Sequence, residues 1–150
     1  MFRGRYEHAI DGKGRTSLPS RFRDVLVGAG DSRIVLTTGL EACVVAYPYG
    51  EWIAFEERLA RLPQFDASVS MLRRVYVSGA VECEIDKLGR LLVPAALRKH
   101  AGLGREVLWA GMGSHVELWD RARHDALRAD VLGDAEKREA MARRLAELGL

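Results

Sequence analysis

The feature that most constrains the fold of this chain is an internal repeat. Residues 10–23 align with residues 85–98 at an offset of 75, and six of the fourteen positions are identical. Chance gives about one identity in a window of this length. A second match, at an offset of 72, aligns the run from Arg33 with the run from Arg105. Each copy therefore spans roughly 45 residues, too few to close a hydrophobic core alone, so we expect the copies to pack together.

Both copies are predicted to have the same elements. A short strand (residues 5–10; 81–85), a turn around DxxGR and a second strand (15–18; 90–93) precede a short helix and a β-hairpin. The helices are predicted to begin at Pro19 and Pro94, because proline suits a first helical turn. Gly28 and Gly102 are predicted to end them. The fold class is therefore expected to be α+β.

Helical patterns separate and follow the copies. Apolar residues at helical spacing, interrupted by Pro63, predict a helical hairpin between the copies, and the last segment reads as amphipathic helices. We expect the first copy at residues 5–52, a helical linker at 53–80, the second copy at 81–124 and a helical tail at 125–150.

Net charge, cysteine spacing and the length of apolar runs limit the classes of function that this chain can have. The net charge is only +2 although 29% of residues are charged, so a nucleic-acid site must come from local clustering. Cys43 and Cys83 lie 40 positions apart without metal-ligand spacing, which indicates free, buried thiols. The start of the chain lacks the apolar core of a signal peptide and no run is long enough to span a bilayer, so we expect a soluble cytoplasmic protein without a membrane partner.

The two DxxGR turns are the candidate site. Gly14 and Gly89 fall where a tight turn requires a positive φ. Asp11 and Asp86 are predicted to accept hydrogen bonds from turn amides or to pair with the following arginine, which is a structural role.

Arginine beside such a turn suits DNA. The guanidinium of Arg15 can bridge phosphates or bind guanine O6 and N7 bidentately. Residues 3–23 hold six basic and two acidic side chains, a net charge of +4, whereas residues 78–98 hold three of each. We therefore expect the first copy to face DNA, with Arg90 mainly structural or contacting phosphate. The predicted DNA-binding residues are Arg3, Arg5, Lys13, Arg15, Arg21 and Arg90.

These segments resemble one family. MFRG at the start, DGKGRTSLPSRFR, SGAVECEIDKLGRLLVPAALRKHAGL and ELWD near Trp119 are similar to the MraZ family over most of the chain. The resemblance implies a SpoVT/AbrB-type swapped-hairpin fold, in which both halves of an intrachain pseudo-dimer barrel interleave. It also implies a nucleoid-associated transcriptional regulator of the division and cell-wall gene cluster, which forms ring-shaped homo-oligomers on double-stranded DNA with direct repeats.

Two other classes of function are open to a chain with this sequence, an antidote protein and an enzyme. An antidote with the same fold would bind a protein partner through the C-terminal helices, but many such antidotes carry one copy and an unstructured tail. An enzyme would need a nucleophile with a base, paired carboxylates or metal ligands, and the four histidines and two cysteines form no such set. No catalytic residue, metal, cofactor or small-molecule substrate is therefore expected.

Overall fold

The same order of elements, two strands, a helix and two strands, occurs twice in the chain. The computed structural model describes all 150 residues. The first set comprises β1 (Arg5–Ala9), β2 (Arg15–Ser17), α1 (Ser20–Ala29), β3 (Ile34–Thr38) and β4 (Val44–Pro48). The second set comprises β5 (Val81–Cys83), β6 (Arg90–Leu92), α4 (Ala95–Ala101), β7 (Glu106–Gly111) and β8 (Val116–Asp120). The predicted α+β class is confirmed.

Helices fill the remainder of the chain. Between the two sets lie α2 (Tyr49–Ala60) and α3 (Ala67–Leu72), and α3 continues into a π-helical turn, Arg73–Val77. After β8 come α5 (Arg121–Leu132) and α6 (Ala135–Glu147). The carboxylate of Asp66 begins α3 by accepting hydrogen bonds from the backbone amides of Ser68 and Val69.

The strands of the two copies interleave. One six-stranded antiparallel sheet has the order β1-β7-β8-β4-β3-β5, and β2 and β6 form a separate two-stranded antiparallel pair. The first strand of each copy therefore pairs with the hairpin of the other copy, β1 with β7 and β5 with β3. Neither copy can close its sheet alone, in agreement with the size argument made from the sequence.

The core lies between one face of the six-stranded sheet, the β2–β6 pair and helices α1 and α4. Trp109 of β7 is fully buried there and donates from Nε1 to the backbone oxygen of Ser17 at 3.1 Å. Phe22 of α1 packs edge-on against the rings of Phe2 and Tyr6. The aliphatic members of this cluster include Leu18, Leu26, Leu36, Leu91, Val93, Leu97 and Leu118.

The other face of the sheet is covered by α2 and the π-helical turn. Tyr47 of β4 lies 5.7 Å from Trp52 of α2, measured between ring centroids. The hydroxyl of Thr38 donates to the backbone oxygen of Val75 at 3.0 Å, and the hydroxyl of Thr37 donates to the backbone oxygen of Tyr76 at 2.5 Å. Both side chains thus satisfy carbonyl groups at the end of the π-helical turn.

One predicted helix end is wrong. Helix α1 continues through Gly28 to Ala29 and is capped by Gly30, which adopts a left-handed φ of 76° and donates from its amide to the carbonyl of Val27. Glycine inside a helix costs only about 1 kcal/mol, so Gly28 does not have to terminate it. Gly102 ends α4 in the left-handed conformation, as predicted.

Residues 121–150 form a second compact unit, in which α5 and α6 contact each other. The carboxylate of Asp134 begins α6 by accepting from the amides of Glu136 and Lys137. The ammonium of Lys137 pairs with Asp130 of α5 at 2.6 Å. None of the helices in either unit has the length and apolar character needed to cross a membrane.

Candidate nucleic-acid interface

The first DxxGR turn is organised by the carboxylate of Asp11. Its Oδ1 accepts hydrogen bonds from the backbone amides of Lys13 and Arg15, both at 2.9 Å, and its Oδ2 accepts from Nε of Arg15 at 2.8 Å. The pKa of Asp11 falls from its ordinary 3.8 to about 2, chiefly because the carboxylate accepts the hydrogen bond from the Arg15 amide. The aspartate therefore fixes both the turn and the direction of the arginine side chain.

The second turn repeats this arrangement. Oδ1 of Asp86 accepts from the amides of Leu88 and Arg90 at 2.9 Å, and Oδ2 accepts from Nε of Arg90 at 3.0 Å. The hydrogen bond from the Arg90 amide is again the main reason that the pKa of Asp86 is lowered. In both turns the aspartate holds Nε, which leaves the two Nη nitrogens of the arginine for an external partner.

Each turn is packed against the helix of the other copy. Gly14 has a φ of 89°, and a Cβ added there would lie 2.8 Å from Nε of Arg98 on α4. Gly89 has a φ of 76°, and a Cβ added there would lie 2.6 Å from Cζ of Arg23 on α1. Arg98 also donates from Nε to the backbone oxygen of Val93 at 3.0 Å. Glycine is thus required in both turns by the backbone conformation and by the space that the arginine occupies.

The pairing of β2 with β6 brings the two turn arginines onto one surface. Arg15 lies opposite Leu92, and Ser17 lies opposite Arg90, while Thr16 and Leu91 between them are buried. Alternate residues of a strand point to opposite faces, so Arg15 and Arg90 both lie on the outward face of this pair. Diagonal neighbours in an antiparallel pair are about 7–8 Å apart. We call this surface the ribbon face: Arg15, Ser17, Arg90 and Leu92.

The remaining predicted residues lie in different places. Lys13 is exposed at the tip of the first turn, next to Arg15. Arg3 and Arg21 line one shallow depression together with Tyr6. Arg5 lies opposite Ala110 on β1, where it is exposed on the sheet face that does not carry Tyr6 and Trp109. The structure therefore joins Lys13 and Arg90 to Arg15, groups Arg3 with Arg21, and leaves Arg5 apart from both.

Two basic residues near the first turn were missed by the sequence analysis. Lys99 and Arg105, from the second copy, line a depression together with Asp11 and Gly12 of the first turn. Arg105 is brought there by the pairing of β1 with β7, and the amide of Ile10 donates to its backbone oxygen at 2.9 Å. Lys99 lies on α4 beside Arg98, which packs over Gly14 of the first turn. No local pattern signals this proximity, because it depends on which strands pair. Lys99 and Arg105 thus add positive charge beside the first turn, which already lies in the more basic copy.

The histidines and cysteines range from buried to exposed and differ in their contacts. Burial lowers the pKa of both His8 and His115, with the charge of Arg23 acting in the same direction on His8. His115 stacks on Tyr47 with ring centroids 4.9 Å apart. Both cysteines are free thiols, as expected, but only Cys43 is buried as predicted, whereas Cys83 is partly exposed. No group of three or more His, Cys, Asp or Glu side chains has a geometry that could hold a metal ion.

Comparison with known proteins identifies a regulator family in both copies. The family model for the MraZ protein, whose description also names it antitoxin-like, matches residues 1–75 and again residues 76–146. Curated relatives carry the name transcriptional regulator MraZ. One from Heliobacterium modesticaldum is 48% identical over 123 residues, which are 82% of this chain and 83% of the relative. Those from Geotalea daltonii and Acetivibrio thermocellus are 44% and 39% identical, and each alignment covers the whole of both chains.

Proposed function

The chain belongs to the MraZ family of transcriptional regulators, and on that premise we propose that its ribbon face binds duplex DNA in a sequence-specific manner. The observation that carries this proposal is the position of Arg15 and Arg90 on one outward surface, each oriented by an aspartate through Nε. A two-stranded β-ribbon fits the major groove of B-DNA. The family names describe a regulator and not an enzyme.

The chemistry of the two arginines supports base contacts as well as phosphate contacts. With Nε held by the aspartate, the Nη nitrogens of Arg15 can donate to guanine O6 and N7, the commonest specific contact in the major groove. Because the aspartate fixes the side chain before DNA arrives, less conformational entropy is lost on binding. Asp11 and Asp86, together with Gly14 and Gly89, act as positioning residues in this proposal and do not contact DNA.

The charge distribution favours the first turn as the main contact. Residues 3–23 carry a net charge of +4 and residues 78–98 carry none. The first turn contains Lys13 and has Lys99 and Arg105 of the other copy beside it. In the first copy, the residues equivalent to Lys99 and Arg105 are Asp24 and Arg33. Asp24 is acidic, and Arg33 is already paired with Asp31 at 2.8 Å. Counterion release from phosphates rewards a local excess of positive charge. Arg90 then serves as the weaker partner of Arg15.

The outlying basic residues have separate roles in this proposal. Arg3 and Arg21 contact phosphates, since both are exposed and share one depression. Arg5 faces the opposite side of the sheet and contributes to the general positive field of the first copy rather than to the same DNA contact.

The finer architecture follows the family. We assign the interleaved strands to the SpoVT/AbrB-type swapped-hairpin barrel, with copies at 5–52 and 81–124, a helical linker at 53–80 and a tail at 125–150. The pairings of β1 with β7 and of β5 with β3 support this assignment.

A single chain offers few phosphate contacts, so specific binding requires several subunits on adjacent sites, where avidity multiplies weak contacts. We therefore propose a ring-shaped homo-oligomer that binds direct repeats in the promoter of the division and cell-wall gene cluster. The protein would act in the cytoplasm, associated with the nucleoid.

A gel-shift experiment tests the proposed function. The full chain is titrated against the DNA immediately upstream of its own gene at 50 and 200 mM salt, with unrelated DNA of equal length as competitor. We expect the protein to bind the upstream DNA in preference to the unrelated competitor. Its affinity should fall roughly a hundredfold between 50 and 200 mM salt if about four phosphates are contacted. Equal binding to both DNAs would refute the proposal and would favour an interaction protein that uses its C-terminal helices.

A further inference from the structure

The ribbon face carries an exposed leucine directly opposite Arg15. Leu92 is 55% exposed, although its neighbour Leu91 on the same strand is buried. In the pairing of β2 with β6, Leu92 and Arg15 are cross-strand partners. An outward-facing leucine gains nothing from the core, so an exposed apolar side chain here is a feature that the fold itself does not require.

The two copies differ at this position. At the repeat offset of 75 residues, Leu92 corresponds to Ser17, which lies opposite Arg90. The two arginines therefore have different neighbours on the same surface, an alkyl group for Arg15 and a hydroxyl group for Arg90. The side of the ribbon with the stronger positive charge is also the side with the apolar contact.

We propose that Leu92 packs against the C5-methyl group of a thymine next to the base contacted by Arg15, and so contributes to the choice of DNA sequence. This inference rests on the proposed function. In the major groove, thymine is the only base that presents a methyl group, and apolar side chains contact it. Cross-strand partners lie about 4.5–5.5 Å apart at Cβ, so both side chains can reach adjacent base pairs.

Uracil-substituted DNA tests the contact, because uracil lacks only this methyl group. The upstream DNA is prepared with thymine and with uracil throughout, and both forms are titrated with the wild-type chain, Leu92→Ala and Leu40→Ala. Leu40 is a matched control, since it is 73% exposed in the turn between β3 and β4 and does not belong to the β2–β6 pair.

The wild type and Leu40→Ala should bind thymine DNA about fourfold tighter than uracil DNA for each methyl group buried. Leu92→Ala should lower this ratio about fourfold by weakening mainly the binding to thymine DNA. A wild-type ratio near one, an unchanged ratio in Leu92→Ala, or equal weakening on both DNAs would overturn the inference. Failure of the proposed function is distinguished from these outcomes, because the wild type would then show no preference for the upstream DNA over unrelated DNA.

Discussion

The guanidinium group of Arg98 lies over Gly14, so close that a Cβ on the glycine would be 2.8 Å from both Nε and Cζ. This contact joins the helix of the second copy to the turn of the first, and Arg23 repeats it on Gly89 in the opposite direction. Backbone hydrogen bonds hold the same turns: the amide of Val93 donates to the carbonyl oxygen of Gly14, and the amide of Leu18 donates to the carbonyl oxygen of Gly89. Each candidate DNA-binding turn is therefore held in place by the other copy.

Replacement of Gly14 by alanine should destabilise the fold by about 2–4 kcal/mol. Alanine is strained at a φ of 89°, and its methyl group must displace Arg98. Gly12→Ala is the matched control in the same turn, because a Cβ there meets nothing within 4 Å and the effect should stay within about 0.5 kcal/mol. Urea unfolding followed by circular dichroism measures both variants, and equal stability of the two would contradict the packing of Arg98 on Gly14.

Arg98 and Arg21 should separate stability from binding. Arg98→Ala removes the donor to the buried residue Val93 and should cost about 1–3 kcal/mol in the free energy of unfolding. Arg21→Ala should leave stability unchanged, since the side chain is exposed, but should weaken DNA binding severalfold through a lost phosphate contact. Thermal unfolding and gel shifts on both variants check this. If Arg21→Ala lowered the free energy of unfolding and left DNA binding unchanged, Arg21 would have a structural role and no phosphate contact.

Local chemistry made much of the fold predictable. Pro19 and Pro94 before α1 and α4, glycine in both DxxGR turns and the β-rich runs indicated elements that the structure contains, and the repeat indicated that two copies share one core. The end of α1 was misplaced because Gly28 and Gly30 have equal intrinsic freedom to leave a helix.

The candidate site was predictable only in part, because it depends on strand pairing across the copies. The sequence singled out Asp11 and Arg15 from their spacing, and these residues do form one hydrogen-bonded turn. That Arg90 shares a surface with Arg15 follows from the pairing of β2 with β6, which leaves no local signal. For the same reason the sequence could only count Arg5 among the basic residues of the first copy, whereas the strand pairing places its side chain on the sheet face that does not carry Tyr6 and Trp109.

The order of the first turn should depend on pH only in the acidic range. A depressed pKa means that the charged Asp11 stabilises the folded turn above its ordinary value of 3.8, and that this contribution is lost as pH falls through about 2. We expect the carboxyl carbon of Asp11 to titrate near pH 2 by NMR, and the Nε–H signal of Arg15 to change with the same midpoint. Asp11→Asn should abolish that transition. A midpoint at or above 3.8 would show that the hydrogen bonds to the carboxylate do not form.

The Cys43 thiol should be inert in the folded protein. Cys43 is buried, and desolvation raises its pKa to about 12, so roughly one thiol in ten thousand is ionised at pH 8. In a Cys83→Ser variant, which leaves Cys43 as the only thiol, iodoacetamide should label the protein only after unfolding in urea. Labelling of the folded variant at the rate of a free thiol would show that this part of the core opens readily.

Filter binding of Arg15→Ala and Arg90→Ala to the upstream DNA tests most directly which turn contacts DNA. We predict that Arg15→Ala weakens binding at least about tenfold and lowers the salt dependence by about one counterion, as expected when a phosphate-contacting or base-contacting arginine is lost. Arg90→Ala should have a smaller effect, because its turn lacks the surrounding positive charge. Unchanged binding by Arg15→Ala, or an equal or larger loss for Arg90→Ala, would contradict the assignment of DNA contact to the first turn.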